Sequence, residues 1–417
     1  MKNKFRPTTI SLSPNVEKDD LNLAYKTLLS PKKYIRGDNI QKLENKFKNY
    51  LNSDYAFSFN SGRSSLMTIL KALNFDKNEE VIVQAFTCNA TVNPILWNNL
   101  KPVFVDCNDN FNVDVNDLEE KITSKTRAVI IQHTFGIPAE VEKIKKICKE
   151  NNLILIEDCA HSLGASYNGQ KIGTFGDVAF FSFSRDKVIS SVYGGMVTTN
   201  DFEIGRKIKN DYAEIDFPSS LWVFQQLIHP LLFEYLFLPL YNFLKIGKIL
   251  LISAQLLRIV SKAVHYREKQ GKKPSYFPAK LPNGLAGLAL NQMEKIDKFN
   301  KHRVEISKVY QKEFADTDFE FPSLGKEKSP IYLRFPLIHP DAHEIIINAW
   351  NNNLLIGDWY RSPVAPYDTN LEKVSYKKGC CPNAEELALS TFNLPTHINI
   401  SKKKAKEIVQ FIKNQIK

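Results

Sequence analysis

The sequence predicts an α/β protein with a large domain, built on a mostly parallel central sheet flanked by helices, and a smaller C-terminal α+β domain. Three observations support this prediction: helical and extended patterns alternate between about residues 38 and 200, the extended segments are short apolar runs, and the composition changes after residue 200. Such alternation is typical of parallel strands joined by crossover helices. We place the large domain at residues 1–310 and the small domain at residues 311–417.

The extended segments have apolar residues at nearly every position, as expected for strands covered by helices on both faces. They are Val81–Phe86, Pro102–Asp106, Val129–Gln132, Leu153–Ile156 and Val178–Phe183. Helical patterns occur between them, at Asn39–Tyr50, Asn89–Asn98 and Glu140–Glu150. Residues Leu285–Val309 predict one long helix, and shorter helical and extended pieces begin at about Ile331.

The composition is that of a folded globular protein, with 43% hydrophobic and 24% charged residues in a chain of 417. The net charge of +11 comes from scattered lysines and arginines, and this pattern does not favour nucleic-acid binding. The six cysteines form no C-x-x-C pair, and the surroundings of Cys380–Cys381 do not suggest a metal site. No apolar leader follows Met1. We therefore expect a cytoplasmic protein with reduced thiols and no metal.

A densely apolar segment, Leu221–Val260, interrupts the large domain, and we treat residues 219–265 as a helical insertion. No uncharged run in it reaches the roughly 18 residues that a membrane span requires. Two interpretations remain open, a dimer interface and a patch that rests on a membrane surface. We expect short helices, broken at Pro230 and Pro239, with an apolar patch exposed beside the ligand-binding edge; its aromatic residues would be Phe224, Phe233, Tyr235, Phe237, Tyr241 and Phe243.

Ligands of open α/β sheets bind beyond the carboxyl ends of the strands, so polar residues after apolar runs are candidate site residues. The segment Asn60–Leu66 is a small-residue turn before a helix, which offers backbone N–H groups to an anion but also fits an ordinary helix cap. Asp158 ends an apolar strand, with His161 three residues later. A buried Asp158 would need a partner such as a protonated ring nitrogen, although a helix cap is an equal alternative.

Lys187 is in the third candidate element, because it follows the apolar run Val178–Phe183 and can face the same carboxyl edge of the predicted sheet. By itself it would be an ordinary loop lysine. Together and in this order, the three elements resemble the DegT/DnrJ/StrS family of sugar aminotransferases, which have fold type I and use pyridoxal 5′-phosphate (PLP). The resemblance extends over most of the chain, and its matching motifs are Tyr34–Gly37, Leu43-Glu44, Asn60–Leu66, Phe86–Asn93, Phe135-Gly136, Glu157–His161, Gly173–Asp177, Phe181–Lys187, Cys381–Leu387 and Leu394–His397.

The resemblance implies a role for each matching residue. Lys187 would form the Schiff base with PLP and move the proton during transfer, and Asp158 would pair with the pyridine N–H. His161 would contact the phenolic oxygen of the cofactor. The phosphate would be held by Ser182 and by the backbone at Gly62, Arg63 and Ser64. Cys88 would also contact the cofactor, at a position where many relatives carry an aromatic residue.

Other positions depart from the family pattern in ways that concern the substrate. Arg63 replaces a small threonine, so its guanidinium could reach either the phosphate or an acidic group of the substrate. Val192 and Tyr193 replace a Gly-Glu pair before Gly194-Gly195, and no clear Gly-x-Asn-x-Arg element precedes the helix near Ala286.

The function that the resemblance implies is amino transfer from an amino acid, glutamate, to a keto-sugar on a nucleotide or lipid carrier in polysaccharide or glycoconjugate biosynthesis. We expect a cytoplasmic homodimer, without nucleic acid beyond a nucleotide-sugar, in which residues 221–260 form either the dimer interface or a peripheral contact with the inner face of the membrane. One alternative is a PLP-dependent sugar dehydratase, but such relatives replace the lysine, usually by histidine. The other is a non-catalytic regulator or membrane scaffold, which the joint presence of Asp158, His161, Ser182 and Lys187 disfavours.

Overall fold

The computed structural model describes residues 5–415 and confirms the α/β prediction. Its central sheet has seven strands, whose spatial order is β2 (Tyr55–Phe59), β11 (Gly195–Thr199), β10 (Val178–Ser182), β7 (Ile154–Asp158), β6 (Thr126–Gln132), β3 (Glu80–Gln84) and β5 (Lys101–Val105). Only β11 runs antiparallel to its neighbours in this sheet. The predicted apolar runs of the large domain therefore correspond to strands of one mostly parallel sheet.

Both faces of the sheet are covered, which explains why its strands are apolar throughout. Successive side chains of a strand point to opposite faces. In β3, Ile82 packs into one core with helices α2 (Asn39–Leu51), α6 (Val141–Glu150) and α10 (Asn283–Met293). Its neighbours Val81 and Val83 pack into the other core, with helices α3 (Gly62–Leu73), α4 (Asn89–Trp97) and α7 (Phe202–Glu214).

The remaining elements surround this sheet or form the C-terminal part. The helices are α1 (Lys18–Leu28), α5 (Val115–Glu120), α8 (Ser220–Leu232), α9 (Ile246–Leu256), α11 (Ile296–Phe314), α12 (Ala342–Asn351), α13 (Pro382–Ser390) and α14 (Lys402–Lys413). The short strands are β1 (Thr8–Thr9), β4 (Thr87–Cys88), β8 (Ser166–Tyr167), β9 (Gln170–Lys171), β12 (Lys328–Ser329), β13 (Arg334–Ile338), β14 (Leu354–Leu355), β15 (Val364–Ala365) and β16 (Thr391–Pro395). Strands β13 and β16 pair antiparallel and share a separate core with α11, α12 and α14.

The prediction of one continuous helix over Leu285–Val309 is wrong, because α10 ends at Met293 and α11 begins at Ile296. The two helices serve different cores. Helix α10 is rich in small residues and packs between α1, α2 and α8, whereas α11 packs against α14 in the C-terminal core. Lys295 lies at the break, where its Nζ is 2.9 Å from Asp19 and 3.1 Å from Asp20, so ion pairs to α1 hold the chain where it changes direction.

The insertion folds as α8, a π-helical turn over Phe233–Phe237, and α9. Helix α8 continues past Pro230 to Leu232, so the predicted break at this proline is wrong; the wider π-helical turn follows instead. The predicted exposure is confirmed for Phe224, Tyr235 and Phe243, whereas Tyr241 is half-buried. It is wrong for Phe233 and Phe237, which pack against α9 in a small core of the insertion's own. Among residues 5–415, we find no helix with the length and apolarity needed to cross a membrane.

Candidate active site

A cavity of about 530 Å³ opens at the carboxyl edge of the central sheet, where the sequence predicts the ligand site. Seven of the eight predicted site residues line it: Gly62, Arg63, Cys88, Asp158, His161, Ser182 and Lys187. The eighth, Ser64, is buried behind the turn that leads into α3. The structure thus brings together residues from the ends of β7 and β10 and from the starts of α3 and α4.

Lys187 extends into this cavity from the loop after β10. The loop is fixed from two sides, because the side-chain amide of Asn15 donates to the carbonyl of Lys187 at 2.7 Å and Arg303 donates to the carbonyl of Val188 at 2.8 Å. The Lys187 Nζ lies 2.8 Å from His161 Nε2 and 4.5 Å from the centre of the Trp359 ring. Burial lowers the pKa of Lys187 below its ordinary value.

The hydrogen bonds of His161 indicate which of its ring nitrogens carries the proton. The backbone N–H of Phe135 donates to His161 Nδ1 at 3.3 Å, so Nδ1 is an acceptor and the neutral ring carries its proton on Nε2. Burial lowers the pKa of His161 well below its ordinary value, which favours the neutral ring. In this tautomer the Nε2–H faces Lys187 Nζ, and it donates a hydrogen bond to Nζ when Lys187 is an uncharged amine. An uncharged amine is the nucleophilic form of lysine.

Asp158 presents a carboxylate to the same cavity. Its oxygens accept hydrogen bonds from the Thr91 hydroxyl at 2.9 Å and from the backbone N–H of Ala160 at 3.0 Å, and both donors are neutral. Burial raises the pKa of Asp158 above its ordinary value. A carboxylate in this position is stabilised by a positively charged ligand group. Thr91 lies in the motif Phe86–Asn93, but the sequence analysis did not identify it as a site residue.

The turn before α3 has the geometry of an anion site. Ser61 caps the helix, and its hydroxyl accepts the N–H of Ser64 at 3.1 Å, so this Ser64 amide is already engaged. Helix geometry leaves the amides of Gly62 and Arg63 without an acceptor inside the helix. A Cβ on Gly62 would lie 3.2 Å from the Cβ of Ser182, which places the Ser182 hydroxyl beside these amides.

The aromatic surface of the cavity comes mainly from the C-terminal part of the chain. Trp359 stacks on His161 with ring centres 5.1 Å apart, and the Tyr360 hydroxyl lies 3.5 Å from His161 Nε2. The Arg334 guanidinium lies 3.2 Å from the centre of the Trp359 ring and pairs with Asp186 at 2.7 Å. Sequence analysis missed these residues, since no motif contains them. Cys88, at the position of the expected aromatic residue, lines the cavity and caps α4 through its sulfur.

Two of the residues that depart from the family pattern, Arg63 and Tyr193, contact the end of the insertion or the residues just after it. Arg63 forms an ion pair of 2.7 Å with the buried Glu268, and Tyr193 donates to the carbonyl of Lys262 at 2.6 Å. Val192 has φ of +70°, a backbone conformation that is unfavourable for a β-branched residue. The side chain of Arg63 is thus held by residues of its own chain.

A second buried cluster, close to the site, has a structural role. His133, Glu157 and Cys159 place their polar atoms within 4.8 Å of one another. Both carboxylate oxygens of Glu157 accept hydrogen bonds, from His133 at 3.2 Å and from the backbone amides of residues 173, 175 and 176 at 2.7–2.9 Å. Burial alone would raise the pKa of Glu157, but these donors lower it below its ordinary value. The cluster therefore fixes the Gly173–Asp177 loop against β7.

The cavity therefore contains a buried lysine, a histidine 2.8 Å from its Nζ and a buried aspartate whose hydrogen-bond donors are neutral, an arrangement that suits an enzyme with a lysine nucleophile. Comparison with known sequences then assigns the family: residues 15–226 and 247–413 match the sequence profile of the DegT/DnrJ/EryC1/StrS aminotransferase family, and the chain belongs to it. The members of this family are PLP-dependent sugar aminotransferases. The profile omits residues 227–246, which lie within the predicted insertion.

Two curated relatives align along nearly the whole chain. An uncharacterised protein of Methanocaldococcus jannaschii, MJ1066, is 30% identical over 96% of this chain and 95% of its own. The GDP-perosamine synthase of Vibrio cholerae is 27% identical over 91% of each chain. These two alignments therefore include the C-terminal part of the chain as well as the cofactor-binding motifs.

Solved structures confirm the fold. Helicobacter pylori PseC, an aminotransferase of pseudaminic acid biosynthesis, superimposes with a TM-score of 0.74 at 22% identity over 98% of this chain and 99% of its own. The sugar aminotransferase Spr1654 of Streptococcus pneumoniae, solved in its PLP form, gives 0.73 at 19% identity over 98% and 97%. The fold-type-I architecture is thus shared with sugar aminotransferases.

Proposed function

We propose that this protein transfers an amino group from an amino acid, glutamate, to a keto-sugar carried on a nucleotide, with PLP held on Lys187. The observation that carries the proposal is the Lys187–His161 pair, with Nζ 2.8 Å from Nε2, in the same cavity as the buried Asp158. Relatives named GDP-perosamine synthase and dTDP-3-amino-3,6-dideoxy-α-D-galactopyranose transaminase support a nucleotide carrier and a role in polysaccharide biosynthesis.

The residues present fit PLP. Asp158 lacks a cationic partner among its hydrogen-bond donors, which suits a protonated pyridine nitrogen. The free amides of Gly62 and Arg63 and the hydroxyl of Ser182 suit a phosphate at a helix N-terminus. When bound there, PLP supplies an electron sink for negative charge on the carbon that carries the amino group.

The chain's own residues account for binding and proton transfer. Lys187 would attach the cofactor through Nζ. Once released by the amino donor, it would use the same atom to move a proton between the substrate carbon that carries the amino group and the cofactor carbon bonded to that nitrogen. His161 would orient Nζ through its Nε2–H, and Asp158 would favour a proton on the ring nitrogen of the cofactor. Trp359 and Tyr360 exclude water from one side of the cavity.

The test is a spectroscopic half-reaction with the purified, PLP-loaded protein. Glutamate should convert the absorbance of lysine-bound PLP into that of the aminated cofactor, and a nucleotide-linked keto-sugar should restore it. We would test GDP-, dTDP- and UDP-linked sugars. A spectrum that stays constant with glutamate and with other amino acids would refute the proposed transamination.

We also propose a homodimer, as predicted from the sequence, because closed twofold dimers are the commonest assembly of soluble enzymes. Light scattering across micromolar concentrations should give twice the monomer mass of 47.8 kDa. An active species of monomer mass would contradict this assembly.

The exposed face of α9 supports the membrane alternative for the insertion. Ile252, Leu256 and Leu257 are 48%, 71% and 72% exposed, and Lys245 and Lys248 near the start of the helix are also exposed. Lysine is depleted in protein–protein interfaces but common on helices that lie on anionic lipid. We therefore propose that this face rests on the cytoplasmic, anionic surface of a membrane.

Liposome sedimentation tests the membrane contact. A variant with Ile252, Leu256 and Leu257 changed to serine should lose binding to vesicles that contain anionic lipid. The matched control changes Leu29 and Leu389, which are 68% and 76% exposed elsewhere on the chain, and should bind like the wild type. Equal binding of all three proteins, or a dimer interface that covers α9, would exclude the membrane contact. Phe233 and Phe237 are unsuitable for this test because they are buried.

A further inference from the structure

The segment after α9, residues 258–268, forms part of the cavity wall, and hydrogen bonds to its backbone carbonyls hold it in place. We call this segment the strap. Three successive strap carbonyls accept hydrogen bonds from three side chains of the cofactor domain. Arg185 donates to the carbonyl of Ser261 at 2.6 Å, Tyr193 to that of Lys262 at 2.6 Å, and Arg63 to that of Ala263 at 3.0 Å.

The three donors come from different parts of the predicted cofactor site. Arg63 lies in the first turn of α3, Arg185 in the loop after β10, and Tyr193 just before β11. Arg185 and Tyr193 are 8% and 4% exposed, so their polar groups have little access to water and depend on the strap for hydrogen bonds. Arg63 and Tyr193 are also two of the positions where the sequence departs from the family pattern.

The strap is anchored at its far end by a buried ion pair. Glu268 is fully buried; its Oε2 lies 2.7 Å from Arg63 Nε, and its Oε1 accepts the backbone N–H of His265 at 2.7 Å. Burial is the largest single influence on the pKa of Arg63 and lowers it, but the charge of Glu268, together with Tyr193, Cys88 and Tyr276, raises the pKa overall, so the guanidinium stays charged. Breaking this pair would leave a buried charge unpaired, which makes the strap a fixed wall.

Three strap residues, Lys262, Ala263 and Val264, line the cavity. The carbonyl of Lys262 takes part in the clamp, while its side chain is exposed. An exposed ammonium group at the cavity wall suits an anionic group of the ligand, such as the diphosphate of a nucleotide-linked sugar.

We propose that the strap determines substrate binding, that Arg63, Arg185 and Tyr193 are positioning residues that act through it, and that Lys262 meets the anionic carrier group of the substrate. This inference rests on the proposed function for the identity of the substrate. It explains the departures at residues 63 and 193 as adaptations to the insertion. The strap contacts belong to these side chains, whereas the phosphate turn uses backbone amides, so the two roles can be separated.

The first test measures the strap directly and needs no substrate. Trypsin can cut the strap at the exposed Arg258, Lys262 and Arg267 once it opens locally. Tyr193→Phe removes one buried hydrogen bond, so we expect strap cleavage to be about fivefold faster. The matched control is Tyr310→Phe, which removes a 2.8 Å bond from another buried tyrosine to the carbonyl of Pro395, far from the strap. Equal strap cleavage in wild type and Tyr193→Phe would overturn the clamp.

The second test separates substrate from cofactor. Tyr193→Phe and Lys262→Ala should each raise KM for the nucleotide-linked sugar by about fivefold to tenfold, with a smaller change in kcat and an unchanged PLP content. Saturating GDP, UDP or dTDP should slow strap cleavage in the wild type. A KM that stays within twofold in both variants, or a loss of PLP that explains the whole effect, would overturn the substrate role. If no sugar is aminated, the proposed function fails, and the cleavage and nucleotide-protection results still decide the role of the strap.

Discussion

Replacing Asp158 by asparagine tests the central electrostatic contribution of the site. The amide oxygen can still accept the Ala160 N–H, and the amide nitrogen can donate to the Thr91 hydroxyl, so both hydrogen bonds of 3.0 and 2.9 Å have a replacement. What is lost is the negative charge. A pair of unit charges in contact at about 4 Å is worth about 4 kcal/mol at an effective dielectric constant of about 20.

That free energy corresponds to a fall in kcat of about three orders of magnitude. The assay is the glutamate half-reaction followed in a stopped-flow spectrometer at saturating PLP, so that weaker cofactor binding does not contribute. Asp106→Asn is the control, because Asp106 accepts backbone N–H groups of residues 383 and 384 at 2.9 and 2.7 Å outside the cavity. A rate for Asp158→Asn within threefold of wild type would show that Asp158 is only a structural cap.

Three further predictions concern neighbouring groups. Borohydride treatment should leave a pyridoxyl group on the peptide that contains Lys187, and Lys187→Ala should lose turnover; label on another lysine would contradict the assignment. Because burial lowers the pKa of Lys187, the rate of PLP attachment should be constant above that lowered pKa and should fall as the pH drops through it. His161→Gln should retain a donor to Lys187 and most of the activity, whereas His161→Leu should lose about tenfold in kcat, for the loss of one hydrogen bond; equal rates in the two variants would argue against orientation by His161. Gly195→Ala would place a Cβ 2.5 Å from the backbone of Ser61 and so displace the turn that would hold the phosphate. The dissociation constant for PLP, measured by equilibrium dialysis, should therefore rise at least tenfold; an unchanged value would show that the turn at Ser61–Arg63 does not bind the phosphate.

The sheet and the polar half of the site were predictable because they depend on local patterns. Continuous apolar runs identify strands that are covered on both faces, and the residues after them lie at one edge of the sheet. This reasoning placed Asp158 and Lys187 in one cavity, as the structure does. The break between α10 and α11 was missed because no glycine or proline marks it, and ion pairs of Lys295 with a distant helix fix its position.

The rest of the cavity depends on contacts that leave no pattern in the sequence. Trp359 and Tyr360 reach His161 from the C-terminal part of the chain, and no periodicity relates them to Lys187. The strap is held through backbone carbonyls, which every residue possesses, so residue types do not reveal it. Within the insertion, the aromatic content indicated an apolar surface, but only the structure shows that Phe233 is buried and Phe243 is exposed.

The hydrogen bond from the Asn15 side chain to the carbonyl of Lys187 connects the loop that carries the reactive amine to the N-terminal part of the chain. The same N-terminal arm pairs β1 with β14, and the carbonyls of Thr9 and Pro14 accept hydrogen bonds from His397 at 2.9 Å and Asn399 at 2.8 Å. The arm is therefore a tether between the C-terminal part and the loop that carries Lys187. A chain shortened past Asn15 would lose this tether together with Ser11 and Leu12, which line the cavity, so the position of Lys187 would be less well fixed. Tags and truncations at this end therefore require the same caution as changes within the cavity.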